Sequence, residues 1–355
     1  MLFRSRCPEC GGRSKRIGFT SAGKRRFLCL VCHRSFGKPK RISGKFFTFV
    51  KFHDFIVNKV NKLALSEEIY LSRKSIWRIF KPFFNYSPSS NDSLFLLKEK
   101  GLINDKNVWV LGIDGKWLRR QGVIMIYRDI TNKVNLYWSY HFSESYTAIE
   151  KDFEKVILII KDSLPSGVVT DWKGALVSAV NIFLPLVPHQ RCLTHVKRSL
   201  LRFLPLRSPI LATRKLRKIA QEIIRIESVD DKIKWRKDLY SWIAEYRSLL
   251  KEKTIGIGTK KRWWYTHGNT RRAVKLLIFE EKYLFAYLDY PFLPKTNNSL
   301  EGSNSQMKTK LSNHRGMKVH LQVIFIFWLL TFKRVKNRKD LKSLWDSLKN
   351  KIYRF

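Results

Sequence analysis

Acidic residues are scarce. Only 28 of 355 residues are Asp or Glu against 70 Lys and Arg, which leaves a formal net charge of +42. A chain this basic repels itself unless it works against a polyanion, so small-metabolite enzymes and acidic binding modules fit poorly and nucleic acid is the expected partner. Cysteine is rare too, five in all, which excludes a disulfide-stapled secreted scaffold. Long apolar runs are missing. The nearest, 321–332, is too short to cross a bilayer, meets Lys333 and Arg334 at once, and reads as a buried helix. No secretory leader pattern is visible, with Arg4, Arg6 and Cys7 so near the start. No Gly-x4-Gly-Lys-Ser/Thr phosphate loop occurs, which disfavours a nucleotide cofactor and a primase or helicase. A cytoplasmic, nucleoid-associated protein without membrane contact is expected. Disorder is excluded as well, because 44% of the chain is hydrophobic and 14% aromatic. The length allows two or three domains.

Four of the cysteines form two pairs, Cys7-x2-Cys10 and Cys29-x2-Cys32, with 18 residues between the pairs. Two intervening residues let both thiolates of a knuckle face one ion, and two knuckles complete a tetrahedral four-thiolate zinc site. So small a module draws its folding energy from the metal. Met1 to Lys45 carries 13 Lys/Arg against the single acid Glu9, so residues 1–42 read as a zinc ribbon that touches DNA phosphates.

Residues 43–86 shift to helical periodicity. Two short helices and a third opening at Ser72, a natural N-cap, describe a helix-turn-helix. Arg73, Lys74 and Arg78 are placed towards a DNA groove, and Ile76, Ile79 and Phe80 towards a core. Pro82 and the polar stretch after it are expected to end the unit and open a linker over 87–106.

Three β-forming runs follow, 108–113, 123–127 and 134–140, joined by short turns that predict an antiparallel meander. A helix over 145–162, a strand 167–170, a helix 172–183, a strand 186–192 and a helix from Thr194 come next. This is the element order of an α/β, ribonuclease H-like core, assigned to 107–200. In that fold the first strand is central and the fourth parallel to it, so Asp114 and Asp171 approach each other. Paired carboxylates at strand ends suit two-metal phosphoryl chemistry with Mg²⁺ or Mn²⁺. The third acid is expected from Asn297-Asn298-Ser299-Leu300-Glu301, in segment 295–320. As a helix, this segment puts Glu301, Asn304 and Lys308 on one face, with Asn298 orienting the carboxylate or capping. Asp129 rivals Asp114 but opens a hairpin turn, and Glu280 and Glu281 read as a solvated face.

Taken together, LGIDGKWL, VVTDWKGAL, PHQRCLTHVKRSL and NNSLEGSNSQMK resemble the DDE transposases of bacterial insertion sequences, specifically the mutator-like group in its zinc-ribbon variant. The resemblance runs from Cys7 to about Gly316. It implies that Asp114, Asp171 and Glu301 are the catalytic acids holding Mg²⁺. It also implies that Cys192 and His195 correspond to a Cys-x2-His pair following the second acid; for these a structural or DNA-positioning role is expected.

Between Asp171 and Glu301 lie 129 residues, of which 201–294 read as an inserted helical domain with 21 Lys/Arg against 10 Asp/Glu. Arg262, Trp263, Trp264, Arg271 and Arg272 interleave base and aromatic, a pattern that grips backbone and stacks on bases, although Trp263 and Trp264 read more readily as core of the insertion. Residues 321–355 are a basic helical tail, expected to add phosphate or protomer contacts. The expected function is DNA cleavage and strand transfer at the terminal inverted repeats of the element. Its partners are double-stranded terminal and target DNA and, for synapsis, at least a second copy of the chain. The competing expectation is a domesticated, non-catalytic DNA-binding regulator.

Overall fold

The computed structural model describes residues 13–21, 23, 25–37, 44–58, 62–69, 71–103, 108–256, 262–279, 281–314 and 316–353. Cys7 and Cys10, and with them the first knuckle, lie outside the described residues, as do Lys260, Lys261 and Glu280. The chain divides into two compact units, Met1–Ser87 with Val335–Phe355, and Pro88–Arg334.

In the first unit, β1 (Ser14–Phe19), β2 (Arg25–Cys29) and β3 (Ser35–Gly37) form an antiparallel sheet that delivers Cys29 at its end. Three helices follow: α1 (Lys45–Val57), α2 (Lys62–Ile69) and α3 (Arg73–Asn85). Ser72 caps α3, its hydroxyl accepting the Ser75 N–H at 3.1 Å, a bond that typically contributes about 1 kcal/mol. The core is aromatic, with Phe52 stacked on Phe83 at 4.6 Å and edge-on to Phe80 at 5.2 Å. Pro82 does not end α3, which runs on to Asn85. Burial of Phe83 and Phe84 outweighs the lost backbone bond.

Residues 321–355 do not form a single tail. The last helix, Arg338–Ile352, buries Leu341, Leu344, Trp345, Leu348 and Ile352 and belongs to the first unit. Its Trp345 ring lies 5.3 Å from Phe49. Its basic face is exposed, but its apolar face is core.

In the second unit the segment expected to be a linker is partly structural. Residues Ser90–Ser93 form a 3-10 turn and α4 spans Leu94–Lys98, with Ser90, Asp92, Ser93, Leu96 and Leu97 buried. The buried Arg334 guanidinium holds this segment, donating to Ser93 Oγ at 2.9 Å and, across the gap, to the carbonyls of Asn135 and Leu136, each at 2.8 Å.

The unit is mixed α/β. Its five-stranded sheet has the order β6-β5-β4-β7-β8. β4 (Val110–Trp117), β5 (Val123–Asp129) and β6 (Val134–His141) are antiparallel, whereas β7 (Gly167–Thr170) and β8 (His189–Arg191) run parallel to β4. Apolar residues on both faces of these strands explain the near-complete burial of β4 and β5. One face packs Ile113, Met125 and Tyr127 against α5 (Tyr146–Ile160) and α6 (Gly174–Phe183) through Ile149, Phe153, Val156 and Leu176.

The chain then leaves the sheet through α7 (Leu193–Phe203) into α8 (Leu211–Glu222), α9 (Val229–Glu245) and α10 (Arg247–Lys251). A hairpin of β9 (Lys253–Ile255) and β10 (Trp263–Tyr265) interrupts the helices, so the insertion is not purely helical. α11 (Gly268–Phe279), α12 (Glu281–Leu284) and α13 (Ala286–Asp289) return the chain to the sheet. The insertion shares its core with α7, because Leu193, Val196 and Leu200 pack among Trp235, Trp242 and Phe285. α14 (Asn298–Ser312) follows, then α15 (Val319–Phe332), whose Phe325, Ile326, Trp328 and Leu330 are buried. Among the described residues no helix is long and apolar enough to cross a membrane.

Candidate functional site

Asp114 is the fifth residue of the central strand and is 7% exposed. Its Oδ1 accepts the Gly115 N–H at 2.9 Å, and its Oδ2 accepts the Asn304 side-chain amide at 2.5 Å. Asp171 directly follows β7, the parallel neighbour of β4, so the register Gly112↔Val169 carries Asp171 to the level of Asp114. Trp172, next in the chain, takes a left-handed φ of 70°. That conformation is strained for a bulky residue by roughly 1–3 kcal/mol. It is held by ring contacts to Tyr283 at 4.3 Å and His189 at 4.7 Å. The sharp turn it makes leaves Asp171 at the strand tip.

Glu301 comes from the first turn of α14. Asp114 and Asp171 each feel an acidic neighbour. Burial, then the Glu301 charge, pushes the Asp114 carboxyl up to about 6, against the Gly115 N–H, the Asn304 amide and Lys173. Burial, then the Asp114 charge, also raises Asp171. Like charges crowded in a partly dry pocket are unfavourable on their own, and a divalent cation would relieve them.

Bases ring this acidic centre. Lys173 Nζ lies 3.6 Å from Asp171 Oδ2 and pairs more closely with Glu144. Arg198 Nη1 lies 3.1 Å from Glu301 Oε1. Lys116, two positions beyond Asp114 on β4, is lowered by burial and by the nearby charge of Lys308. Lys308 is itself exposed on α14. The rim suits a phosphate backbone laid across the carboxylates.

Glu144 carries no sequence signal, lying in the polar turn between β6 and α5. Its side chain is 6% exposed, and Gly115 makes room for it: a Cβ at Gly115 would come 2.3 Å from Glu144 Oε1. Asn297 is the second residue without a distinct signal. The sequence favours Asn298 as the orienting amide, but Asn298 is exposed and Asn297 is 1% exposed. Asn297 precedes the first residue of α14, its side chain donates to the Ile113 carbonyl at 3.3 Å, and its backbone N–H meets Cys192 Sγ at 3.3 Å. Adjacent amides are indistinguishable by composition, and only the helix register decides which points inward.

Asp129 proves to be a turn residue, accepting the Asn132 N–H at 2.9 Å and its side-chain amide at 2.8 Å. Glu281 lies 3.7 Å from Arg236 on the insertion. Cys192 is buried at the start of α7 and His195 sits in its first turn. Both approach Glu301: one ligand atom of each of the three lies within 4.8 Å of the others.

Away from this centre, Arg73, Lys74 and Arg78 are exposed on α3, while Ile79 is only half-buried. Arg262, Trp263 and Trp264 are exposed on the hairpin, at 46% and 41% for the two rings, so the tryptophans are not core. Lys253 Nζ lies 4.1 Å over the Trp263 ring. Arg271 serves the fold, with its guanidinium 3.8 Å over Tyr265 and donating to the Leu250 carbonyl, whereas Arg272 is exposed. At the second knuckle, the N–H groups of Val31 and Cys32 both point at Cys29 Sγ from 3.4 Å. That arrangement suits a metal-bound thiolate. Compared with family models and with curated proteins, the chain matches none.

Proposed function

We propose that this chain is a DNA transposase of the DDE type with a ribonuclease H-like core. The observation that carries the reading is the convergence of Asp114, Asp171 and Glu301. They come from a central strand, its parallel neighbour and a helix beyond the insertion, close enough that the Glu301 charge raises Asp114 and the Asp114 charge raises Asp171. The strand order, antiparallel over β6-β5-β4 and parallel over β4-β7-β8, supports the same fold.

Asp114, Asp171 and Glu301 would hold Mg²⁺ or Mn²⁺, which supplies charge neutralisation at the scissile phosphate and activation of the attacking oxygen. The chain's own residues do the rest. The Asn304 amide fixes the Asp114 carboxylate, and Lys173 sits between Asp171 and Glu144 where it can neutralise a nonbridging phosphate oxygen. Lys116, Lys308 and Arg198 complete a basic rim for the strand on either side. The helix-turn-helix, through Arg73, Lys74 and Arg78, and the ribbon, holding zinc on Cys7, Cys10, Cys29 and Cys32, would recognise the terminal repeats.

The test is cleavage of a labelled duplex bearing the DNA that flanks the reading frame, in Mg²⁺, with strand transfer into a plasmid. Asp171→Asn and Glu301→Gln should bind the duplex as wild type does and lose at least about a hundredfold in cleavage. Cleavage retained in either variant removes that acid from the site. Binding without cleavage by the wild-type chain would favour a non-catalytic regulator.

A further inference from the structure

We propose that Cys192, His195 and Glu301 form a second cation site, selective for a borderline-soft divalent ion such as Zn²⁺, and that occupancy withdraws Glu301 from the acidic centre. One ligand atom of each residue lies within 4.8 Å of the other two. A thiolate, an imidazole and a carboxylate are a zinc donor set, whereas Mg²⁺ takes oxygen ligands and rejects sulfur. Three protein ligands leave a fourth position for water or a phosphate oxygen.

The donors are prepared for an ion. Cys192 is fully buried, which pushes its thiol up, and the N–H groups of Asn297, His195 and Thr194 directed at its sulfur oppose that shift. Placed at the N-cap of α7, it has His195 one helical turn onward on the same side. The His195 Nδ1 and Glu301 Oε1 atoms are buried, and neither has a hydrogen-bond partner. A buried polar atom without a partner is costly and calls for one. Arg198 Nη1 sits 3.1 Å from that carboxylate oxygen without hydrogen-bond alignment. Its side chain is 59% exposed and can swing into solvent when a cation takes its place.

In this proposal Glu301 turns towards Cys192 and His195 to complete the soft site and is drawn away from the acidic centre. With a soft ion held by Cys192 and His195, the acidic centre keeps Asp114 and Asp171 but loses its third carboxylate. Zinc would therefore act as an inhibitor that competes with Mg²⁺ through a shared ligand. This second half rests on the proposed function, whereas the binding site itself does not.

The test compares the full chain with full-length Cys192→Ser and His195→Ala by Co²⁺ titration. The ribbon cysteines are common to all three chains, so the difference spectrum reports the new site alone. Wild type should bind about one more equivalent than Cys192→Ser, with thiolate-to-cobalt charge transfer in the difference. His195→Ala should weaken that equivalent at least about tenfold. Matching thermal melts of the three chains keep a folding defect from passing as lost binding. Equal stoichiometry and equal spectra in wild type and Cys192→Ser would overturn the site. In the cleavage assay, micromolar Zn²⁺ should inhibit wild type by a factor that His195→Ala reduces, each chain taken relative to its own zinc-free rate. Inhibition that His195→Ala leaves unchanged would overturn the link to Glu301. A chain that cleaves nothing would sink the transposase reading instead, and the cobalt titration would decide the site by itself.

Discussion

Replacing Asp114 by Asn should make the metal-free protein more stable at neutral pH. The Asp114 carboxyl is displaced from its ordinary 3.8 to about 6, first by burial and then by the Glu301 charge. A carboxyl raised in the folded state binds its proton more tightly there than in the unfolded chain. The contribution of this carboxyl to native stability is therefore full below about pH 3.8 and is lost as pH rises through about 6, the loss at pH 7.5 amounting to about 3 kcal/mol. Asn removes the charge at constant shape. Its oxygen keeps the Gly115 N–H, and Asn304 can turn its Oδ1, buried and without a partner, towards the new amide. Most of the gain survives, about 1–3 kcal/mol, and a unit of this size moves in melting temperature by roughly 2–4 °C per kcal/mol. Thermal melts of both chains at pH 7.5 and pH 4, without added divalent metal, measure it. The variant should melt higher at pH 7.5, and the difference should shrink towards zero at pH 4. Mg²⁺ should raise wild type more than the variant. A variant that melts lower at pH 7.5, or a gap that ignores pH, refutes the reasoning.

Three further outcomes follow from named contacts. Arg334→Ala leaves the carbonyls of Asn135 and Leu136 unsatisfied in the core and should lower stability by at least about 3 kcal/mol in urea melts; Arg334→Lys should not restore it, because an ammonium cannot span the fork. Gly115→Ala forces Glu144 off its place beside Lys173; cleavage should fall at least about tenfold with duplex binding kept, as judged by gel shift. Trp263→Ala and Trp264→Ala remove exposed rings, so stability should stay within about 0.5 kcal/mol; affinity for single-stranded DNA, read by fluorescence anisotropy, should fall at least about fivefold.

Residues with a local signature were legible in the sequence. Asp114 and Asp171 each follow a β-forming run; the strand ends with that run just before Asp171, whereas β4 continues past Asp114 to Trp117. Glu301, Asn304 and Lys308 share one helical face by spacing alone. What stayed hidden depends on partners distant in the chain. The face of Leu341, Leu344 and Leu348 announces burial, but nothing local says that it packs on Phe49 of the first unit. Glu144 is one polar residue among several in a turn, and only the register of β4 brings it beside Gly115. Trp263 and Trp264 lie in a strand of three residues, too short for a period to separate core from surface.

An insertion of this length should scatter the site, since Glu301 follows Asp171 only after 129 residues. Loop length itself is cheap: each doubling costs about 0.6 kcal/mol in closure entropy. What the site needs is a fixed exit and a fixed return, and the structure provides both at one place. The Leu193 N–H donates to the Lys295 carbonyl at 3.0 Å, joining the start of α7 to the chain just before α14. One step on, the Asn297 N–H meets Cys192 Sγ, and its side chain reaches Ile113, the residue before Asp114. Arg128 then holds Ser299 from β5 at 2.9 Å, and Lys333 holds Ser303 at 2.8 Å. The Glu301 helix is thus registered against the sheet and the end of α15 by bonds around its first turns, whatever lies between α7 and α14. The same stitch makes Cys192 a lever. Its sulfur accepts the Asn297 N–H just before the helix that carries Glu301, so Cys192→Ala should loosen that helix and lower the melting temperature.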